Sequence, residues 1–337
     1  MSAYADSIRL SVAPMMDWTD RHCRVFHRLL APKARLYTEM MHAQAVLFGD
    51  RERLLGFDAR EQPLALQLGG SDPAHLAEAS RIAEQYGYAE INLNVGCPSD
   101  RVQAGRFGAC LMKEPQVVAA CIDAMRCAVQ VPITVKCRLG VDEQEDYDAF
   151  LQFIDVVSAA GCEEFVVHAR KAWLSGLSPK ENREIPPLRY DWVFRLKQER
   201  PNLHIVLNGG LAEVDACLEA LPRVDGVMIG RATIGYPWIF KEIKHFMATG
   251  EHLDPPTLSE RANAAQRHLE LSVDWKGEKL AIAEMRRHYG NYFRNFPNFK
   301  ELRQTLVTSD SLEMLHATFD EIRGDYALRN SFVSEPA

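Results

Sequence analysis

The sequence predicts an α/β fold: a closed (β/α)8 TIM barrel followed by a C-terminal all-helical domain. Three observations carry this. Eight short apolar, strand-like runs fall before residue 235, most of them followed by a helix-like stretch. Repeated strand-then-helix alternation requires right-handed crossovers and parallel strands covered on both faces. Eight such units in roughly 230 residues match the usual barrel size. After Tyr236-Pro237-Trp238 the pattern changes to helical periodicity alone. A doubly wound open sheet is the competing architecture, but no GxGxxG follows the first strand.

In chain order the strands are expected at 10–13, 35–38, 64–67, 90–94, 133–136, 164–168, 205–208 and 226–229. Helices are expected at 73–86, 115–129, 146–160, 190–199 and 213–221. The later helical patterns cover 239–248, 257–273, 277–293, 299–308 and 311–326, with Pro255-Pro256 as a linker signal. The expected domains are therefore 1–240, the barrel, and 250–330, the helical domain. Met285, His288, Tyr289, Tyr292 and Phe293 recur at helical spacing, so some of them belong to a core.

Barrel enzymes place their chemistry at the C-terminal ends of the strands. Those ends read Ala13-Pro14-Met15-Met16, Gln67, Asn94 with Cys97, Lys136, His168 with Arg170, Asn208-Gly209-Gly210, and Gly230-Arg231. One polar terminal residue is a simple cap. Six in succession, with Lys136 closing an Ile-Thr-Val run, exceed what capping requires, because a buried lone ammonium is costly. The glycines remove side chains where a backbone must approach a ligand. Backbone N–H groups with Arg231 beside them suit a phosphate dianion. Barrel phosphate sites commonly follow strands 7 and 8; a tight turn that merely needs glycine is the alternative. Lys136 would neutralise an anionic ring, Gln67 and His168 would bond polar edges, and Pro14-Met15-Met16 would supply an apolar floor. A planar, phosphorylated, anionic cofactor is the common denominator, and FMN fits.

The stretch 89–106, AEINLNVGCPSDRVQAGR, breaks from strand at Gly96, presents Cys97 between Gly96 and Pro98, and runs into a loop with Asp100, Arg101 and Arg106. It is built to place side chains in a cleft; taken alone, a turn with an incidental buried cysteine explains it equally well.

Composition is ordinary for a soluble protein, with 47% hydrophobic and 25% charged residues. No basic-then-apolar leader and no apolar run near ~18–20 residues is present, so no membrane association is expected. The eight cysteines form no CxxC pair, which favours reduced thiols in a cytoplasm over a disulfide framework. Scattered His and Cys residues leave no metal site expected. Net charge is −7, mildly against a nucleic-acid partner. Between Lys276 and Arg303, however, seven Lys or Arg (276, 279, 286, 287, 294, 300, 303) face three Glu, with aromatic residues interleaved. A solvated helix face is the other reading of that segment.

With these residues in view, the chain resembles the tRNA-dihydrouridine synthases, and their A-type branch most. The resemblance spans about residues 8–310. It rests on Ala13-Pro14-Met15 with Asp17-Trp18-Thr19-Asp20, Gln67-Leu68-Gly69-Gly70, Asn92-Leu93-Asn94-Val95-Gly96-Cys97-Pro98, Val135-Lys136-Cys137-Arg138, His168-Ala169-Arg170, Asn208-Gly209-Gly210 and Gly230-Arg231. It implies an FMN-dependent barrel that reduces uridine in tRNA to dihydrouridine, at positions 20 and 20a, with NADPH as electron donor.

The resemblance also implies the site. FMN would be held by Ala13, Pro14, Met15, Gln67, Lys136, His168, Arg170, Asn208, Gly209, Gly210, Gly230 and Arg231. Asn94 and Cys97 would face the uracil. The implied chemistry is hydride from reduced flavin to C6 of the base and a proton from the Cys97 thiol to C5; thiols hold their proton at neutral pH and can serve as acids. For tRNA the expected contacts are Asn94, Arg101, Lys180, Asn182 and Arg183 on the barrel, and Arg286, Arg287, Lys300 and Arg303 on the helical domain. A monomer in the cytoplasm is expected. Two other readings stay open: an FMN barrel reducing a free pyrimidine or enone, and a non-catalytic RNA-binding barrel.

Overall fold

Strand β1 (Leu10–Val12) starts a parallel sheet that closes on itself. The others are β2 (Leu36–His42), β3 (Leu64–Gly69), β4 (Glu90–Val95), β5 (Ile133–Cys137), β6 (Glu164–His168), β7 (His204–Asn208) and β8 (Gly226–Ile229). In this computed structural model, residues 9–144, 146–293 and 299–331 are described. The sheet order runs β1-β8-β7-β6-β5-β4-β3-β2 with every pair parallel. Closure comes from a Ser11–Arg35 bridge: Val12 N–H donates to Arg35 C=O and Arg35 N–H to Leu10 C=O, both at 2.9 Å. This is the expected (β/α)8 barrel.

The crossovers follow local sequence signals. Helix Pro73–Tyr86 starts on an Asp72 cap that accepts from His75 N–H at 2.8 Å, with Pro at its first position, and stops at Gly87 with φ +92°. Helices Pro115–Ala128, Tyr147–Ala159, Tyr190–Glu199 and Val214–Ala220 lie where periodicity puts them, to within a residue at each end. Strand β2 ends four residues later than the sequence suggests, after a register shift between Tyr37 and Met40. Helix Arg21–Leu30 and the short helices Ala43–Phe48 and Arg51–Leu55 lie outside the expected elements; the first is amphipathic but poor in apolar residues, and the other two are only six and five residues long.

Side chains alternate along each strand, so one parity fills the lumen. At the N-terminal end Arg35 pairs with Glu90 and, at 3.5 Å, with Glu164; all three are buried. Above them an apolar layer packs Ala13, Tyr37, Ala65, Val166, Val206 and Met228, with Met15 against it. Polar residues line the C-terminal end. The sequence of each strand therefore already assigns which side chains can meet at the mouth.

Compactness divides the chain into Met1–Gly230 and Arg231–Ala337, against the expected division between residues 240 and 250. The second unit contains helices Ile239–Thr249, Leu258–Lys276, Glu278–Tyr292, Phe299–Thr308 and Leu312–Ser331. Thr257 and Glu260 form a capping box at the start of the second of these. Met285, His288, Tyr289, Tyr292 and Phe293 are all buried, and Tyr289 meets Phe319 edge-on with centroids 6.0 Å apart. That aromatic stripe is core. Arg294 of the basic segment lies outside the described residues. Among the described residues no helix is long and apolar enough to cross a membrane.

Candidate active site

The C-terminal mouth of the barrel gathers the residues that the strand ends single out. Register places Gln67 beside Asn92, Asn92 beside Thr134, and Asn94 beside Lys136 on neighbouring strands. Gln67 and Asn94 are buried side by side: Asn94 Nδ2 donates to Gln67 Oε1 at 2.9 Å. Asn94 Oδ1 accepts from the N–H groups of Gly96 and Cys97, at 3.0 and 2.9 Å, and so folds the end of β4 into a tight turn. Cys97 is thereby held half-buried at the mouth, its Sγ 3.6 Å from Ser99 Oγ.

A second brace comes from Arg138, two residues beyond Lys136 and on the same face of its strand. Its Nε donates to Gly96 C=O at 2.8 Å, and its Nη1 reaches the carbonyls of Lys171 and Asn182 at 3.1 and 3.0 Å. Gln103 Nε2 adds bonds to Pro98 C=O at 2.9 Å and Leu174 C=O at 2.6 Å. The cysteine loop and the segment 171–188 are thus tied together by the buried Arg138 guanidinium and the half-buried Gln103 amide. Sequence reading did not assign Arg138 or Gln103 a place in the site; the inward parity that Arg138 shares with Lys136 was the available signal.

Lys136 Nζ donates to Asn208 Oδ1 at 3.0 Å, and Asn208 Nδ2 donates to Met228 C=O at 2.8 Å. Burial, and then the Arg138 charge, pull the Lys136 ammonium down to about 8. His168 is buried, and its pKa falls well below the usual imidazole range, through desolvation first and then the charges of Arg138, Lys136, Arg170 and Arg183. It is a neutral imidazole in a field of four cations. Such a field is unfavourable alone and suits an anion.

Gly209 and Gly210 have φ of +102° and +70°, a region that favours glycine. A Cβ on Gly209 would lie 2.4 Å from the His168 ring, and one on Gly210 would lie 2.4 Å from Leu188. The backbone at this point is therefore kept bare by geometry on both counts. Gly230 differs: a Cβ there would meet Ala13 and Met15 at ordinary contact distance. Arg231 follows directly in the chain, exposed, at the start of the short helix Ala232–Gly235. Pro14 and Met15 form the turn after β1, where Met15 N–H donates to Thr19 Oγ1 at 3.0 Å.

The remaining expected residues separate by their partners. Arg170 is half-buried and donates to the carbonyls of Glu184, at 3.2 Å, and Pro186. Asn182 is fully buried; its Oδ1 accepts from Trp173 N–H at 2.7 Å, and its Nδ2 donates to the carbonyls of Trp173 and Leu177. It is a brace of its own loop. Arg101, Lys180 and Arg183 are exposed on the barrel unit. In the helical unit Arg286 is paired with Asp310 at 2.5 Å and Arg287 with Glu284 at 2.8 Å, while Lys300 and Arg303 are exposed.

The family model described as dihydrouridine synthase matches residues 11–323. The chain belongs to the dihydrouridine synthase family. It is 60% identical over 305 residues to the tRNA-dihydrouridine(20/20a) synthase of Xanthomonas campestris pv. campestris, covering 90% of this chain and 89% of that one. It is 49% identical over 303 residues to the protein of the same name from Synechocystis sp., covering 90% of each chain. Among solved structures, a 2-naphthoyl-CoA reductase complex superposes with a TM-score of 0.55 at 11% identity, over 70% of this chain and 50% of that one. That likeness shows the barrel fold alone. Membership of the dihydrouridine synthase family makes the chain an enzyme.

Proposed function

We propose that this enzyme is an FMN-dependent tRNA-dihydrouridine synthase that reduces uridines 20 and 20a, with NADPH as the electron source. The observation that carries the proposal is the pairing, at one barrel mouth, of a half-buried thiol braced by Asn94 and Arg138 with a cationic, glycine-bared cradle around Lys136. The names of the two relatives support the substrate and the positions.

The residues present fit FMN. Gly209, Gly210, Gly230 and Arg231 would take the phosphate, Lys136 and His168 the polar edge of the ring, Gln67 and Asn208 its amide-like groups, and Ala13, Pro14, Met15 and Arg170 its surroundings. When bound and reduced, FMN supplies the hydride that goes to C6 of uracil. Cys97 supplies the proton to C5. Asn94 holds the thiol loop through its oxygen, and its second amide hydrogen, beyond the one given to Gln67, would face the uracil. Lys136, as a fixed positive charge, favours an anionic ring beside it.

Arg101, Lys180 and Arg183 on the barrel unit, with Asn182 ordering their loop, and Arg286, Arg287, Lys300 and Arg303 on the helical unit would contact the tRNA backbone. The barrel is the cofactor-binding part and the helical unit the RNA-binding part. The eight cysteines are outside any disulfide, as a reducing cytoplasm would keep them.

The test is to incubate the purified yellow protein with tRNA and NADPH and to measure dihydrouridine by mass spectrometry. Product at positions 20 and 20a is expected. Flavin should be weakened in Lys136→Ala and Arg231→Ala. A colourless protein, or tRNA left unmodified by a flavin-loaded one, would overturn the proposal.

A further inference from the structure

A file of hydrogen bonds runs through the barrel interior from the buried ion pair at the N-terminal end to the cysteine loop at the mouth. Arg35 Nη1 donates to Glu90 Oε2. Thr134 Oγ1 donates to Glu90 Oε1 at 2.5 Å, and Tyr37 OH donates to the same oxygen at 3.0 Å. Asn92 Nδ2 donates to Thr134 Oγ1 at 2.8 Å, and Gln67 Nε2 donates to Asn92 Oδ1 at 2.8 Å. Asn94 Nδ2 then donates to Gln67 Oε1, and Asn94 Oδ1 receives the N–H groups of Gly96 and Cys97. Thr134, Asn92, Gln67 and Asn94 are all buried.

The polarity of this file is forced from both ends. The Glu90 carboxylate, paired with Arg35, offers only acceptors, so it takes the one hydroxyl proton of Thr134. Thr134 must then accept, which points the Asn92 NH2 toward it and the Asn92 oxygen toward Gln67. The same step repeats at Gln67 and delivers the Asn94 oxygen to the loop. From the other end, two backbone N–H groups can be met only by an oxygen. Both ends demand the same orientation of all three amides, and turning any one over would set donor against donor or oxygen against oxygen.

We propose that Thr134 and Asn92 are positioning residues for the dihydrouridine reaction, fixing the Cys97 thiol loop through Gln67 and Asn94 from the Glu90–Arg35 pair. This rests on the proposed role of Cys97 as proton donor, but the structural half of it is testable without turnover. Thr134→Val removes the hydroxyl at nearly constant shape, and Thr134→Ser keeps it. Peptide-level hydrogen exchange should show the 94–97 amides of Thr134→Val exchanging up to roughly tenfold faster, the equivalent of one lost hydrogen bond of about 1.4 kcal/mol. Peptides of β7 and β8 should be unaffected, and Thr134→Ser should restore the wild-type rate. In rapid mixing, NADPH should reduce the flavin of Thr134→Val at the wild-type rate. Reoxidation by tRNA should be about ten- to a hundredfold slower, the scale of a misplaced reacting group.

Unchanged exchange at 94–97 with the same melting temperature would overturn the proposal. So would wild-type reoxidation by tRNA, or equal slowing of both half-reactions, which marks a merely structural role. If Thr134→Val does not fold, Asn92→Leu breaks the file at its middle and is read in the same way. A wild-type protein that leaves tRNA unmodified would defeat the reading of Cys97 while the exchange experiment still decides the file.

Discussion

Lys136 on β5 reaches past β6 to bond Asn208 on β7, Nζ to Oδ1 at 3.0 Å, and this contact places its ammonium at the barrel mouth beside the bare Gly209-Gly210 backbone. Its pKa, brought down to about 8 by burial and by Arg138, sets an expected pH dependence. The group is charged below about 8 and loses its proton as pH rises through that value. An anionic ligand favours the charged form, so binding should take up protons near pH 8 and weaken above it. Titration of apoprotein with FMN from pH 6 to 9.5 should show a dissociation constant that is flat at the acid end and rises above about 8. Lys136→Met should bind more weakly at pH 7 and lack the inflection. An inflection retained in that variant would assign the titration to another group.

Cys97→Ala should keep flavin content and NADPH oxidation near wild type and slow dihydrouridine formation by ~10²–10⁴, the range for a lost general acid. Cys217 is buried on helix Val214–Ala220 and is pushed up to about 12 by desolvation, and Cys110 donates to Phe107 C=O at 3.1 Å. Alanine at either position should leave the rate nearly unchanged. Wild-type turnover of tRNA by Cys97→Ala would show that water or another group protonates C5.

The buried pair at the N-terminal end of the barrel has its own signature. Glu164 is raised to about 8 by burial, with Glu90 adding to the shift and Arg35 opposing it. In the unfolded chain it titrates near ~4.3. Because the folded value is the higher one, its contribution to stability is complete below ~4.3 and is lost as pH rises through about 8. Glu164→Gln has no such titration. The melting temperature of the variant minus that of wild type should therefore grow between pH 5 and about 8 and level off above it. A difference independent of pH would place the shifted titration elsewhere.

The barrel was legible because its two signals, strand-helix alternation and polar strand ends, are local. Lys136 and Asn208 could be picked out as strand ends, and parity of position put both inside. What spacing along one strand cannot show is which inward groups satisfy one another across strands. Asn94 reads in sequence as a residue offered to a base, and sequence does not show that its oxygen also folds the Gly96–Cys97 backbone while its nitrogen bonds Gln67. Asn182 reads as a rim contact and proves to be a buried brace of its loop. Arg138 reads as one more cation and is the tie between two loops. Helix Arg21–Leu30 is amphipathic but so rich in Arg and His that little apolar content marks it in sequence, and several of these residues are buried through partners that only the fold supplies.

The basic segment of the helical unit can be divided by what its side chains already do. Arg286 is held by Asp310 and the Ser309 carbonyl, and Arg287 by Glu284. A phosphate would have to compete with those carboxylates, and an exposed ion pair of this kind is worth only ~0.2–1 kcal/mol, so the competition reduces the net gain without abolishing it. Lys300 and Arg303 lie three residues apart, on one face of helix Phe299–Thr308 and exposed. If they meet tRNA phosphates, Lys300→Ala and Arg303→Ala should each weaken binding and flatten the plot of log affinity against log salt by roughly one unit, with unchanged flavin content. Arg286→Ala and Arg287→Ala should flatten it by less, because each charge is already partly neutralised before tRNA arrives. The losses should be alike for every tRNA tested, since backbone contacts carry no sequence information. Filter binding across 50–300 mM salt decides it. An unchanged slope in both Lys300→Ala and Arg303→Ala would make this face a solvated one and move the docking surface to Arg101, Lys180 and Arg183 on the barrel.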